Sequence, residues 1–426
     1  MMLIKGGRLI NPATNTDRIC DIAIDNGKIS EIAAEGALSP EAFESVIDAA
    51  GQIVAPGFVD VHVHFRDPGL TYKEDIVTGA AAAAAGGYTT VICMANTNPP
   101  IDNVEVFSEL RDRELRLPIN VLQTANVTLG MKGMEMTNMD ELYTAGAVGF
   151  TDDGVPIADE SLMVAALTKC RELGVPISLH EEDPELMHSP GVNKGRVSDK
   201  LGLGGAPEEA EYVLAARDIM LNRNIGAKLD IQHISSKVTV ELLRHAKKMG
   251  ICVYGEVTPQ HLSATEDLVL ERGTLARVNP PLRTEDDRLE LIRGLEDGTI
   301  DMIATDHAPH SAEEKLRPIE SAPSGMIGLE TALGLVITNA VRPGYLSLDR
   351  MLRALTINPA SLYGLDAGSI YEGGPADIVI FDPDKEWTVP EKFASKASNS
   401  PFIGMSLYGK VSYTICNGRV VYQENQ

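Results

Sequence analysis

The sequence predicts an α/β protein: a (β/α)8 TIM-type barrel carrying a small composite β domain. Three observations predict it. Apolar strand-like runs alternate with helical stretches about eight times between residues 56 and 365, the count and length expected of such a barrel. Residues with metal-ligand chemistry recur at the C-terminal ends of those runs, where barrels of this kind keep their active sites. The two ends of the chain, residues 1–55 and 366–426, share a different pattern of short β-like pieces and tight turns. A doubly wound open sheet is the alternative, but no GxGxxG follows the first strand.

Taken in order, LIKGGRLI, DIAIDNGKISEIA and VIDAAGQIVAP read as strands and turns. Asn26-Gly27 marks a hairpin, because Asn-Gly accepts positive φ at both turn positions. The C-terminal pieces GSIYEGGPADIVIFDP, EWTV and GKVSYTICNGRVVYQ behave alike, with Asn417-Gly418 as a second such turn. Neither end has enough core alone, so the two are expected to pair. Between them VAPGFVDVHVHF precedes a helix around YKEDIVTGAAAAAAG, and TTVICMAN precedes NVEVFSELRDREL. INVLQTANV, AVGFTDD, PISLHEE, KLDIQHIS, ICVYGEVT and DMIATDHAPH continue the strand series, with helical pattern after AVGFTDD, PISLHEE, KLDIQHIS and DMIATDHAPH.

The 426 residues are 44% hydrophobic and 23% charged, the balance of an ordinary globular protein with a large core. A net charge of −24 argues against nucleic acid or an anionic membrane as partner, and requires local cations for any anionic substrate. Cys20, Cys93, Cys170, Cys252 and Cys416 are scattered with no CxxC, as expected of buried reduced thiols in the cytoplasm. The start turns polar too soon for a signal peptide, and no run is long and apolar enough to span a bilayer.

The stretch DVHVHFRDPG carries the densest chemistry. Strand alternation puts Asp60, His62, His64 and Arg66 on one face and Val61, Val63 and Phe65 on the other. Burying that polar face without partners would cost several kcal/mol, so a metal site beside an anion-binding group is the better reading. Asp60 is placed to accept from a histidine N–H, with a turn or capping role as likely a use. Asp152 and Asp153, His180, His233 and Asp306 end four later strands. One such histidine would be unremarkable, but five strand ends together point to a centre. Imidazole and carboxylate without thiolate suit Zn²⁺, with Mn²⁺, Co²⁺ or Fe²⁺ as alternatives. The ligand count exceeds the three of a mononuclear catalytic site and favours a pair of metals. Of the other histidines, His188 is expected at the rim, His245 in solvent, His261 in a supporting or structural role, and His307 facing away from the site.

The motifs DVHVHFRDPG, MANTNP, FTDDG, ISLHEED, QHIS, VNPPLR, ATDHAPH and PSGMIGLET, in this order over nearly the whole chain, resemble the long-chain bacterial dihydroorotases of the amidohydrolase superfamily. The resemblance implies that His62, His64 and Asp306 hold one Zn²⁺, that His180 and His233 hold a second, and that Asp153 bridges them. It implies that Arg66, Asn96 and His310 take the substrate carboxylate, that His64 also binds substrate, and that Asn279 and the backbone of Ser324 and Gly325 contact the ring. Ala95 departs from the family, which has proline there, and only a small change in the loop is expected. The activity implied is the reversible interconversion of N-carbamoyl-L-aspartate and dihydroorotate. Asp306 would act as catalytic proton shuttle, first base and then acid. Arg66 offers a bidentate fork for the carboxylate, with an ion pair to Asp67 or Glu74 as its structural alternative. The polar segment from His310 to Gly325 is expected to be a mobile loop over the substrate.

Hydantoinases and allantoinases, in the same superfamily, have a carboxylated lysine where this chain has GFTDDG, which weighs against them. A non-catalytic scaffold subunit for aspartate transcarbamoylase is the alternative of another class, and the filled ligand positions weigh against that. A homodimer and a transcarbamoylase partner are further expectations from the resemblance.

Overall fold

The computed structural model describes residues 1–424. Seven of the expected barrel strands form regular pairs: Phe58–Val63, Tyr88–Cys93, Asn120–Gln123, Pro176–Leu179, Lys228–Ile231, Val253–Val257 and Met302–Ile303. All pair in parallel with their neighbours. The expected fourth strand, AVGFTDD, is reduced to Phe150, which bridges Ala125 on one side and Ile177 on the other. The ring closes where Val63 bridges His307 and the His64 N–H donates to the His307 carbonyl at 2.9 Å. The result is the closed eight-fold barrel with helices outside.

Helix starts follow side-chain capping. Asp75 accepts from the N–H groups of Val77 and Thr78 at the head of helix Ile76–Ala85, which begins a turn later than the sequence pattern suggests. Asp159, Ser236 and Thr284 cap the helices Glu160–Leu173, Lys237–Lys248 and Glu285–Asp297 in the same way. Each satisfies N–H groups that the first turn leaves unpaired.

The ends of the chain share one eight-stranded sheet. Its halves meet where Ile53–Pro56 lies antiparallel to the Ile378–Phe381 part of the strand Ile378–Thr388. Asn26 and Gly27 have φ of 48° and 80°, and Asn417 and Gly418 have 49° and 73°, the left-handed pair that Asn-Gly turns need. The two turns touch: a Cβ on Gly418 would lie 2.7 Å from the Gly27 Cα. Residues 389–405, between the strands Ile378–Thr388 and Ser406–Cys416, leave this sheet and run back to the barrel mouth. Val389 and Phe402 are buried there beside Val278, Leu282 and Met326. Four cysteines are buried and Cys252 is half-buried, all as free thiols.

Candidate metal centre

The C-terminal strand ends bring His62, His64, Asp153, His180, His233 and Asp306 together. Two groups offer ligand atoms within 4.8 Å of one another, His62–His64–Asp153 and Asp153–His180–His233, with Asp153 common to both. Asp153 Oδ1 lies 3.7 Å from His62 Nε2, 3.6 Å from His180 Nδ1 and 3.9 Å from His233 Nε2, and its Oδ2 lies 3.4 Å from His64 Nε2. Asp306 Oδ1 sits 3.0 Å from His64 Nε2 and 3.6 Å from His62 Nε2.

These residues fit a metal. His62 is fully buried, and its Nε2 has no hydrogen-bond partner among the described residues although it faces two carboxylates. A buried imidazole nitrogen left unpaired costs free energy unless something fills the space before it. Its other nitrogen, Nδ1, is 3.0 Å from Glu256 Oε2. On the opposite pair, His180 Nε2 is 3.0 Å from Glu182 Oε2, which leaves Nδ1 facing Asp153 and His233. A carboxylate on the far nitrogen fixes tautomer and ring orientation in metal-binding histidines. Glu256 and Glu182 were not singled out in the sequence. The signals were present: a lone carboxylate in the apolar strand VYGEV, and a glutamate two residues beyond His180 in HEED.

Asp60 does not meet an imidazole N–H. Its Oδ1 accepts from the backbone N–H groups of His62 and Thr305 at 3.1 Å each, which ties the first and last strands together. Burial pushes its pKa up to about 7, against those hydrogen bonds. Asp152 is committed elsewhere: it accepts from the N–H groups of Val127 and Thr128, from Asn126 Nδ2 and from the Thr128 hydroxyl. Of these two adjacent aspartates, Asp153 is the one that faces the histidines.

The charges are strongly coupled. Burial opposes ionisation of Asp153, but the neighbouring His62 and His180 hold it well below the usual carboxylate range. Burial likewise opposes charge on His180, yet Asp153 and Glu182 push it up to about 10. A dication would supply that positive charge in place of protons.

The centre opens into a cavity of about 230 Å³ lined also by Arg66, Asn96, Asn279, His310, Ser324 and Gly325. Arg66 forms neither of the ion pairs expected as its structural alternative. Asp67 is held by Arg113 at 2.5 Å and Glu74 by His307 and Ser395, while Arg66 Nε reaches only the Pro309 carbonyl, at 3.4 Å. Burial lowers its pKa, opposed by Asp306 and Asp153. Asn279 presents a buried Oδ1 with no partner among the described residues. Asn96 accepts at Oδ1, 2.9 Å from His64 Nδ1, and donates to Asp153 Oδ2 at 3.0 Å, an orienting part not assigned from the sequence. Gly69 lets the first and second loops meet, since at φ 85° a Cβ there would overlap the Asn98 carbonyl oxygen. Arg66, His233 and Asp306 all have positive φ, of 58°, 34° and 47°. Such strain gathers where surrounding structure fixes functional side chains.

Of the remaining histidines, His261 is structural, between Thr258 Oγ1 and the Pro280 carbonyl. His307 faces Glu74 and Gly328, and His245 is exposed on its helix.

Fold and site together define a metal-dependent hydrolase of the barrel type, and the chain belongs to the amidohydrolase family, whose pattern matches residues 53–421. It is 55% identical to a dihydroorotase of Clostridioides difficile, over 99% of this chain and 100% of that one. It is 54% identical to a dihydroorotase of Clostridium acetobutylicum, over 100% of both chains. Among solved structures it resembles the L-hydantoinase (dihydropyrimidinase) of Arthrobacter aurescens, with a TM-score of 0.88 and 28% identity over 100% of this chain and 96% of that one. No helix among the described residues is long and apolar enough to cross a membrane.

Proposed function

We propose that this protein is a dihydroorotase, interconverting N-carbamoyl-L-aspartate and (S)-dihydroorotate plus water in pyrimidine biosynthesis. The observation that carries the reading is the shared carboxylate, Asp153, set between two histidine pairs in a cavity that the guanidinium of Arg66 also lines. Relatives at 48–55% identity bear that name. The fold likeness to hydantoinases does not shift the reading, since no lysine among the described residues lines the cavity.

His62, His64 and Asp306 would hold one Zn²⁺ and His180 and His233 a second, with Asp153 common to both. The metals, when bound, acidify water and polarise a ring carbonyl. Asp306 takes a proton at its carboxylate during attack on the ring amide and returns it to the leaving nitrogen; ring closure uses the same group in reverse. Arg66 pairs with the substrate carboxylate, helped by His64, Asn96 and His310. Asn279 and the Ser324-Gly325 backbone orient the ring. The 310–325 loop closes over the substrate and excludes water.

The reading divides the chain into a barrel, residues 56–365, and a small domain from residues 1–55 and 366–426. It includes a cytoplasmic location, a homodimer and an association with aspartate transcarbamoylase; the mass of the protein in solution, alone and mixed with transcarbamoylase, tests the last two. The activity is tested with dihydroorotate as substrate, hydantoin and allantoin as controls, and metal content measured on the same sample. Turnover of dihydroorotate that chelation abolishes and Zn²⁺ restores is expected. Bound metal with turnover of only the controls would reject the reading.

A further inference from the structure

The strands Ile378–Thr388 and Ser406–Cys416 are antiparallel neighbours, which a short hairpin would join. Residues 389–405 instead form a strap across the barrel mouth. Such long connections in a compact fold commonly serve a site. The strap is anchored where Ser395 and the Lys396 N–H reach the buried Glu74, and where Phe402 enters an apolar cluster.

Asn399 lies between these anchors and is 3% exposed. Its Oδ1 accepts from the His310 N–H at 3.1 Å. Its Nδ2 donates to the carbonyls of Ala308 and Gly325 at 3.1 and 3.2 Å. Its own carbonyl accepts from the Ile327 N–H at 3.2 Å. One acceptor and two donors thus meet one N–H and two carbonyls, so the amide cannot be flipped without opposing like groups. The partners belong to both ends of a single loop, which leaves the barrel at His310 and returns at Gly325. Inside the loop the His310 ring is already fixed. Lys73 Nζ lies 3.2 Å from its Nδ1, and its Nε2 lies 2.8 Å from the Ser324 carbonyl. The loop base is also tied by the Ala308 N–H to the Met326 carbonyl and by the Gly325 N–H to the Arg277 carbonyl, at 2.9 Å each, and Asn399 adds side-chain bonds that join its outgoing and returning segments.

We infer that Asn399 is a positioning residue. It clamps the base of the 310–325 loop and so holds His310, Ser324 and Gly325 against the cavity. The small sheet thereby contributes to substrate binding in the barrel. The inference rests on the dihydroorotase reading for its substrate, but the clamp itself does not depend on it.

Asn399→Asp keeps size and acceptor, loses both donors and faces a carboxylate to two carbonyls. In the zinc-loaded protein, hydrogen exchange over residues 311–324 should rise roughly ten-fold or more, as loss of two hydrogen bonds allows. KM for dihydroorotate should rise by about ten-fold with kcat changed less than about three-fold and bound zinc unchanged, the pattern of lost uniform binding. Unchanged exchange overturns the clamp. Faster exchange with unchanged KM overturns the positioning role, and so does a KM effect that follows loss of zinc. If Asn399→Asp does not fold, Asn399→Ser, which keeps one hydroxyl, takes its place with smaller shifts in the same directions. A wild-type protein inactive on dihydroorotate rejects the functional reading, and the exchange measurement, which needs no substrate, still decides the clamp.

Discussion

Replacing Glu256 with leucine should loosen the metal centre without touching a ligand. Glu256 Oε2 lies 3.0 Å from His62 Nδ1, both groups are fully buried, and the opposite ring nitrogen has no partner. With the carboxylate gone, the ring loses the group that fixes its tautomer and its angle. Outer partners of this kind contribute about 10–100-fold in metal affinity, which is about 1.4–2.7 kcal/mol. Leucine approximates the volume, so the strand should still pack. Glu256→Gln is the internal comparison: its amide oxygen can still accept from Nδ1–H, so most of the affinity should remain. Competition for Zn²⁺ against a chromophoric chelator measures both variants directly, and a thermal melt on each sample separates lost affinity from lost fold. A folded Glu256→Leu that holds zinc as tightly as the wild type would refute the assignment of Glu256 as His62's anchor. A Glu256→Gln as weak as Glu256→Leu would show that charge, rather than acceptance of a hydrogen bond, is what His62 requires.

Asp153→Ala should remove both activity and most bound zinc. Asp152→Ala should keep its metal but lose about 2–4 kcal/mol in a urea titration, because it strands several donors around residues 126–128. Arg66→Met should raise KM for dihydroorotate by about 100-fold, with Arg66→Lys recovering only part, since a lysine lacks the fork; equal KM values in steady-state assays would remove Arg66 from the carboxylate site. Glu114 is 2% exposed, and burial, only partly offset by Arg111, pushes it up to about 7 from 4.5. A raised carboxyl favours folding fully below about pH 4.5, and that contribution is lost as pH rises through about 7. Between those limits Glu114→Gln should gain on the wild type by up to about 3 kcal/mol in denaturant titrations, and parallel stability curves would contradict this.

Much of this was legible in the chain because the relevant signals are local. Strand alternation placed His62 and His64 on one face, and the ends of later strands supplied Asp153, His180, His233 and Asp306. Two Asn-Gly pairs marked hairpins that the φ angles bear out. What was not legible depends on lateral register. Glu256 meets His62 only because the seventh strand places it there, a relation spanning nearly two hundred residues of sequence that no spacing rule encodes. The same holds for Asp60, whose partners are backbone N–H groups of its own and the last strand, and for Arg113, which takes Asp67 away from Arg66. The engagement of Asp152 with residues 126–128 is likewise a relation between separate strand ends that the motif FTDDG does not encode. AVGFTDD read as a full strand, but its backbone makes only isolated bridges through Phe150.

The antiparallel seam between Ile53–Pro56 and Ile378–Phe381 has a consequence for synthesis. The first half of the sheet leaves the ribosome long before the second half exists. At ~5–20 residues per second the interval is roughly 20–60 s. During it one flank of Ile53–Pro56 has unpaired N–H and C=O groups, the kind of edge on which chains associate. The barrel lacks its final strand for only part of that interval, until His307 can close the ring against Val63. The closure at His307 therefore precedes the one at Ile378–Phe381, so a product truncated between them could close its barrel strands and would still carry an open sheet. A nascent chain stalled between them should therefore keep a protease-sensitive N-terminal sheet after its barrel strands have become resistant.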